Sequence, residues 1–334
     1  MATKDSSQPE NSSPESLPSH QLPEELFWEA VPLYQHEGFW LPRGLDTQLI
    51  QAIQEQFQAR DDDVLLASPM KTGTTWLKAL CYCIMTSIRE GDDDDEVGDL
   101  LVKNNPHDCV PSLHLINSTD GVQYPFSGMP SPRLYHAHFP YSILPESIKN
   151  SSCKIVYIAR NPKDTLVSLW HFYNKFLRPN QPAFPLEKAV DSFCRGVFRF
   201  GPFHEHVIQY WEESKRMPHR VLFLKYEELI RDPKGEVKRL ASFLGRPFKD
   251  EDEVEKVLWR CSLGRLKELE VNKNGKIFVP VESSDSKKGI PNSAYFRLGT
   301  VGDWKNHLTQ DMVERIDELT REKFEGTGLS LEAS

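Results

Sequence analysis

The segment over 64–76 constrains the fold more than any other part of the chain, because it joins an apolar run to a helical pattern through a short loop. The run Val64–Ser68 is short and continuous, which is typical of a buried strand. A helical pattern begins at Thr74 and extends to about Ile88. A strand that passes into a helix in this way favours an α/β fold with a parallel sheet.

The same order of strand and helix recurs along the chain. Three further segments predict strands: the strand-like Arg133–Phe139 and the apolar runs Lys154–Ala159 and Val221–Leu224. The last two are followed by helix starts with an N-cap residue and a proline, at Asn161-Pro162 and Asp232-Pro233. These helices are predicted to end near Phe176 and Gly245. We therefore expect a central parallel sheet flanked by helices, with a ligand outside the carboxyl ends of the strands.

Composition sets the limits of this domain. The chain has 334 residues, of which 39% are hydrophobic, and this suffices for the core of one large domain over residues 25–334. Residues 1–24 are rich in Ser, Pro, Glu and Asn and predict a disordered polar tail. Gly91–Glu96 is predicted to be a solvated loop tip, and Val281–Ile290 a flexible segment.

Charge and cysteine usage argue against several classes of function. A net charge of -9 disfavours nucleic-acid binding, which needs clustered Lys and Arg. No apolar run approaches the roughly 20 residues that span a bilayer, and the N-terminus lacks a signal-peptide core. The six cysteines are scattered, without the spacing of metal ligands. The sequence predicts a cytoplasmic protein with reduced thiols, no metal, and no membrane or nucleic-acid partner.

The loop from Ser68 to Trp76 has the composition of an anion site. Gly73 allows close backbone approach, so that successive N–H groups can line a phosphate, and the helix N-terminus adds partial positive charge. Lys71 adds a full charge, and the hydroxyls of Thr72, Thr74 and Thr75 are further donors. The alternative is an ordinary β–α turn with a surface lysine. The loop from Ser68 to Trp76 is not a Walker loop, because Lys71 precedes Gly73.

Two later segments carry similar chemistry. Arg160 ends a predicted strand beside a helix start, with Ser168 about two turns into that helix, which predicts a second anion site. The alternative for Arg160 is a salt bridge to Asp164. Arg297 and Gly299 lie together in a late loop that could close over a phosphate, although alone they indicate only a turn.

Together these motifs resemble the soluble sulfotransferase family that uses 3′-phosphoadenosine 5′-phosphosulfate (PAPS), over roughly residue 28 to the C-terminus. Segments resembling the plant branch are Gly38–Trp40, Ser168–Phe172 and Leu269–Lys273. The resemblance implies that the 71–76 loop holds the donor sulfate. It implies that Arg160, Ser168, Arg297 and Gly299 hold the 3′-phosphate. It further implies that Trp76 stacks on the adenine, with Phe200 and Ser262 nearby.

The resemblance also implies a general base, His138, in a segment similar to the catalytic strand of the family. Imidazole suits this task because its pKa lies near working pH. His136, two residues earlier on the same face of the strand, is a candidate pocket residue. The alternative for either histidine is a structural role. Phe139, Tyr141 and Phe172 suggest an acceptor pocket for a flat or hydrophobic alcohol.

In the plant branch the acceptors include flavonoids, steroid-like hormones, hydroxyjasmonates and glucosinolate precursors, and the sequence does not choose among them. Lys71 is expected to stabilise the leaving oxygen without a metal. Three departures from the family pattern predict weaker donor binding: Met70, Leu298 and Cys261. Competing interpretations are a non-catalytic nucleotide-binding relative and an NTP-dependent kinase.

Assembly is the last sequence-based expectation. Lys305, Thr309 and Glu314 follow the outline of a short dimer motif of animal relatives, but Gln310 replaces its valine. The alternative is that Thr309 caps a final helix with Glu314 on its solvated face. We expect a monomer.

Overall fold

The computed structural model describes residues 22–86, 99–113, 128–177, 181–281 and 284–332. It begins with an antiparallel sheet of three strands, β1 (Glu24–Phe27), β2 (Val31–His36) and β3 (Phe39–Pro42). The central sheet has four strands in the order β5–β4–β6–β7, all parallel: β4 (Val64–Ala67), β5 (Leu134–Ala137), β6 (Lys154–Ala159) and β7 (Val221–Lys225). The predicted parallel sheet is therefore confirmed.

Side chains of the central strands alternate between two cores. Leu65 and Tyr157 lie on one face of the sheet, and Leu66 and Val156 on the other. The first face is covered by α1 (Thr47–Gln56), α5 (Glu146–Asn150), α6 (Pro162–Leu177), α7 (Leu186–Cys194), α8 (Phe203–Arg216) and α14 (Gln310–Phe324). The second is covered by α2 (Thr74–Thr86), α9 (Tyr226–Arg231), α10 (Pro233–Phe243), α11 (Glu251–Arg260) and α12 (Leu263–Glu268). Both faces of every central strand are buried, which explains why these strands are continuous apolar runs.

Polar caps begin the helices where the sequence predicts them. Asn161 Oδ1 accepts from Lys163 N at 3.0 Å at the start of α6, and Asp232 Oδ1 accepts from Gly235 N at 3.0 Å at the start of α10. Short helices complete the described part of the chain: α3 (Leu100–Lys103), α4 (Pro106–Cys109), α13 (Glu270–Asn274) and single 3₁₀ turns at Tyr141–Ile143, Asn292–Tyr295 and Asp303–Asn306.

One predicted segment differs from the structure. Most of Val281–Ile290, predicted to be flexible, belongs to a hairpin of β8 (Lys276–Val281) and β9 (Ser284–Pro291). The polar residues of this segment give no strand pattern, because backbone pairing rather than an alternating apolar face defines the hairpin. The loop tip at Gly91–Glu96 and residues 1–21 of the predicted tail lie outside the described residues, and β1 already begins at Glu24.

The carboxyl ends of the central strands meet at one edge of the sheet. Ser68 follows β4, His138 follows β5, and Arg160 follows β6. The chain at 111–113 joins the outer side of β5, where Leu113 N donates to His136 O at 2.7 Å. Among the helices described, none is long and apolar enough to cross a bilayer. Strand order therefore gathers three distant sequence segments at the edge where α/β sheets bind ligands.

Candidate active site

A cavity of about 400 Å³ opens at this edge of the sheet. Twelve of the residues predicted from sequence line it: Lys71, Gly73, Thr74, Thr75, Trp76, His138, Arg160, Ser168, Phe172, Ser262, Arg297 and Gly299. Five predicted residues lie outside its lining: Thr72, His136, Phe139, Tyr141 and Phe200. The three anion motifs of the sequence thus face one common space.

Backbone geometry explains the composition of the loop between β4 and α2. Gly73 has φ of 110°, and a Cβ at this position would lie 2.8 Å from the Tyr226 ring. Only glycine fits there. Thr72 is fully buried, and its hydroxyl lies 3.0 Å from the carbonyl oxygens of both Pro69 and Ile158. This hydroxyl therefore fastens the loop to β6, which corrects the expectation that all three threonine hydroxyls face the ligand.

Lys71 is the cation at the centre of the loop. Its Nζ lies 4.2 Å from the centroid of the Phe172 ring. Burial, together with the positive charges of Arg160 and Arg297, lowers the pKa of Lys71 to about 7. Three cations gathered around one cavity mark a place where an anion is favoured.

Arg160 and Arg297 approach the cavity from different elements. An Arg160 Nη donates to Thr300 O at 2.7 Å and lies 3.6 Å from Asp164, while an Arg297 Nη donates to Asp303 at 2.6 Å. The Nε–H groups of both arginines are buried and have no hydrogen-bond partner among the described residues. Buried guanidinium donors are normally paired, so these two fit an anionic ligand such as the 3′-phosphate.

The predicted alternative for Arg160 is also present, since Asp164 is its ion-pair partner. Asp164 has a second role: its carboxylate accepts from Gly302 N at 2.7 Å and from Trp304 N at 3.1 Å. The start of α6 is thereby tied to the late loop that carries Arg297. These bonds place the second and third sequence motifs side by side.

The first prediction concerns the 3′-phosphate. Adenosine 3′,5′-bisphosphate (PAP) should raise the melting temperature of the protein, whereas AMP at equal concentration should raise it much less, because only PAP carries the 3′-phosphate that we expect at the two Nε–H groups. Hydrogen bonds to charged groups correspond to an affinity difference of roughly 10-fold or more. A thermal-shift titration measures this, and equal shifts with both nucleotides would contradict the assignment of Arg160 and Arg297.

His138 is held in one tautomer. Its Nδ1 lies 2.7 Å from Ser68 O, which can only accept, so Nδ1 carries the proton and Nε2 keeps its lone pair. His206 Nε2 donates to His138 O at 3.0 Å and is itself fixed by Tyr157, whose hydroxyl lies 2.9 Å from His206 Nδ1. Burial lowers the pKa of His138 to about 3. The imidazole is therefore neutral at pH 7, and its pKa in the ligand-free protein lies below the near-neutral value on which the sequence-based assignment of a general base depends.

The predicted residues outside the cavity lining have supporting positions. His136 is buried, with Nε2 3.3 Å from Ser68 Oγ and Nδ1 3.3 Å from Ser112 Oγ. Phe200 packs against the His138 ring, and the two ring centroids are 5.5 Å apart.

Phe139 belongs to the hydrophobic core, and Tyr141 packs against that core. Residues that follow a buried strand alternate between cavity and core, which explains why His138 lines the cavity and Phe139 does not.

The cavity also contains residues to which the sequence assigned no role. Tyr226 lies over the Arg160 guanidinium at 4.6 Å and meets the Trp76 ring edge-on at 5.9 Å. His107 and Tyr295 are in contact with ring centroids 4.3 Å apart. No local pattern signals these residues, because they come from segments that meet only in the folded chain. The proline-containing start of α4 is the sole hint near His107.

A cluster of His171, Asp303 and His307 lies beside the late loop, with potential ligand atoms within 4.8 Å of one another. The two imidazole Nε2 atoms are 3.2 Å apart, and Asp303 accepts from Arg297. All three side chains thus have protein partners, so the cluster is explained by their mutual contacts.

Comparisons with known proteins identify the family of this chain. A family model described as the sulfotransferase domain matches residues 61–328. Cytosolic sulfotransferase 12 of Arabidopsis thaliana is 41% identical over 308 residues, which cover 92% of this chain and 91% of that protein. Cytosolic sulfotransferase 1 of the same plant is 42% identical over 323 residues, covering 94% and 92%.

Solved structures give the same result. The crystal structure of an Arabidopsis thaliana protein, described as a candidate steroid sulphotransferase, aligns with a TM-score of 0.70 and 36% identity over 94% of each chain. A mouse sulfotransferase solved in complex with PAP aligns with a TM-score of 0.65 and 26% identity, covering 88% of this chain and 95% of that one. This chain therefore belongs to the sulfotransferase family, and it is a PAPS-dependent sulfotransferase. The resemblance seen in the sequence motifs is confirmed.

Proposed function

We propose that this protein transfers the sulfuryl group of PAPS to a hydroxyl of a small hydrophobic or phenolic acceptor, with His138 as the general base. PAPS supplies the activated sulfuryl group. The observation that carries the proposal is that His138 lines the cavity with its Nδ1 bonded to Ser68 O, so that Nε2 is the basic nitrogen of the ring. Nε2 accepts the proton of the acceptor hydroxyl as the oxygen attacks.

Lys71 has the complementary role at the other side of the reaction. Its ammonium stabilises the negative charge that develops on the leaving oxygen, while Thr74, Thr75 and the backbone N–H groups of the loop orient the anionic end of the donor. Arg160, Ser168 and Arg297 hold the 3′-phosphate, and Trp76 and Ser262 lie where the adenine would stack. No step in this scheme requires a metal.

The acceptor class rests on the aromatic wall of the cavity. Phe172, Tyr295 and His107 line it together with His138, and such surfaces bind flat or apolar molecules. One similar Arabidopsis structure is described as a candidate steroid sulphotransferase. A panel of flavonoids, steroid-like hormones, hydroxyjasmonates and glucosinolate precursors, assayed with labelled PAPS, tests the proposal. Transfer to at least one of them is expected, and PAP binding without transfer to any would favour a non-catalytic relative.

The family departures bear on donor affinity. Met70 and Cys261 line the cavity, and Leu298 is about half exposed at its edge, where the family pattern has a lysine. We propose that with Leu298 in place of a lysine the protein lacks one long-range electrostatic attraction for the 3′-phosphate. Arg160 and Arg297 still make the direct contacts with this phosphate. Leu298→Lys should then tighten PAP binding modestly, and more so at low ionic strength.

The second prediction concerns pH. In the free enzyme the pKa of Lys71 is about 7, so its charge is present below that pH and lost above it. kcat/KM for PAPS should therefore fall as pH rises through about 7, whereas kcat should persist to higher pH because the bound anion raises the pKa of Lys71. Burial also lowers the pKa of Lys78 to about 7. The variant Lys71→Arg distinguishes between the two lysines. The pH at which kcat/KM for PAPS falls should change if Lys71 causes the fall, and should stay the same if it does not.

The third prediction concerns assembly and location. We propose a cytoplasmic monomer, in line with relatives that are named cytosolic. Thr309 caps α14 by accepting from Met312 N, and Gln310 Nε2 bonds Glu314 Oε1 at 2.8 Å on the exposed face of the same helix. Burial of a valine side chain in the dimer contact would contribute roughly 1.5–3 kcal/mol of transfer free energy, which the polar Gln310 does not provide. Light scattering should give the 38.5 kDa mass of one chain, and twice that mass would contradict the monomer.

A further inference from the structure

One buried lysine in α2, the helix that follows the 71–76 loop, has its ammonium group close to three hydrogen-bond acceptors. Lys78 of α2 is fully buried, and its Nζ lies 2.8 Å from Val110 O, 3.2 Å from Ser112 Oγ and 3.3 Å from His107 Nδ1. No carboxylate of the described residues forms an ion pair with it. In its charged form Lys78 has three N–H donors and no acceptor, so all three neighbours then accept from it. Lys78 therefore fixes the direction of every hydrogen bond that continues from these neighbours.

The first chain of hydrogen bonds runs through His107. Because Nδ1 accepts from Lys78, the neutral ring carries its proton on Nε2. That Nε2 lies 2.9 Å from Thr75 Oγ1, so the threonine oxygen accepts. The hydroxyl proton of Thr75 must then point away from His107. Thr75 lines the cavity, and its proton is available to a ligand there.

The second chain runs through His136. Ser112 Oγ accepts from Lys78 and keeps its own proton, which it can donate to His136 Nδ1 at 3.3 Å. His136 Nε2 then donates to Ser68 Oγ at 3.3 Å, and the Ser68 hydroxyl donates to Thr74 Oγ1 at 2.7 Å. Thr74 also lines the cavity. Both chains therefore end on threonine hydroxyls in the first turn of α2, with their protons left for the cavity.

We propose that Lys78 and His107 are positioning residues, which orient the Thr74 and Thr75 hydroxyls as hydrogen-bond donors to the anionic end of the sulfuryl donor. The inference rests on the proposed function of this cavity as the donor site. If the hydrogen bonds were donated in the opposite direction, the two threonines would present oxygen lone pairs to the anion and weaken its binding. The arrangement also gives His136 a role, although it lies outside the cavity lining.

The test measures PAP affinity by calorimetry at about pH 6, where lysine is charged even with a pKa near 7. His107→Leu removes the donor to Thr75 and should weaken PAP about 10-fold or more. His107→Gln keeps an N–H that reaches Thr75 and should restore most of the affinity. His107→Asn, which is too short to reach Thr75, should resemble His107→Leu and replaces it if the leucine variant does not fold.

A double-mutant cycle with Thr75→Val distinguishes positioning from general loss of structure. If His107 acts through the Thr75 hydroxyl, His107→Leu should change PAP affinity by less than about 2-fold in the Thr75→Val background. Additive losses, or unchanged affinity in His107→Leu alone, would overturn the inference. Failure of the wild-type protein to bind PAP would instead overturn the proposed function, so that the two failures are separable.

Discussion

His138→Ala should abolish transfer almost completely while leaving PAP binding intact. A general base contributes about 10²- to 10⁴-fold, and in the proposed mechanism His138 Nε2 takes the proton of the acceptor and does not contact the nucleotide. The decisive comparison is between turnover with labelled PAPS and PAP affinity by calorimetry, measured on the same preparation. The loss should appear in kcat, because acceptor and donor still bind.

Two further variants sharpen this result. His138→Asn keeps a donor that can bond Ser68 O but has no basic nitrogen, so it should be as inactive as the alanine variant while retaining its fold. His219 is exposed and remote from the cavity lining, so that His219→Ala should leave turnover unchanged. Loss of PAP binding in both His138 variants would indicate a structural histidine.

Lys71→Ala should lower turnover at saturating PAPS by roughly 100-fold or more, the scale for removing one preorganised electrostatic stabiliser. The physical reason is that Lys71 is held among aromatic side chains, where its charge is poorly screened by water. A purely binding role would raise KM for PAPS and leave kcat unchanged. Steady-state kinetics in both substrates separate the two effects.

The control for Lys71 is another lysine. Lys305 is exposed and outside the cavity lining, and Lys305→Ala should keep full turnover. Near-normal kcat in Lys71→Ala with saturating donor would rule out a role on the leaving oxygen. In that case the loop glycine and threonines would have to supply the stabilisation alone.

Local sequence predicts the central sheet well because each of its strands is buried on both faces. Val64–Ala67 and Lys154–Ala159 are continuous apolar runs followed by strong helix starts, and the structure places them side by side in parallel. The antiparallel strands at the N-terminus and the β8–β9 hairpin give no comparable signal, since they are short or polar. They depend on backbone pairing with segments that local patterns do not identify.

The residues of the site likewise divide into those that local sequence predicts and those that it does not. Lys71, Gly73 and Arg160 occur in compact motifs at strand ends, so that their convergence follows from a parallel sheet. Thr72 differs because a loop hydroxyl can face the ligand or its own backbone, and only the position of Ile158 decides between them. Lys78 is hidden in an apolar helical pattern, where nothing in the sequence reveals its three acceptors.

A crystal structure with PAP and an accepted alcohol would test the central claim most directly. We expect the acceptor oxygen to lie about 2.6–3.2 Å from His138 Nε2, the reach of a general base, with the 3′-phosphate on the Nε–H groups of Arg160 and Arg297. An acceptor hydroxyl bound beyond the reach of Nε2, for an alcohol that the enzyme sulfates in solution with PAPS, would contradict the assignment of His138 as the base.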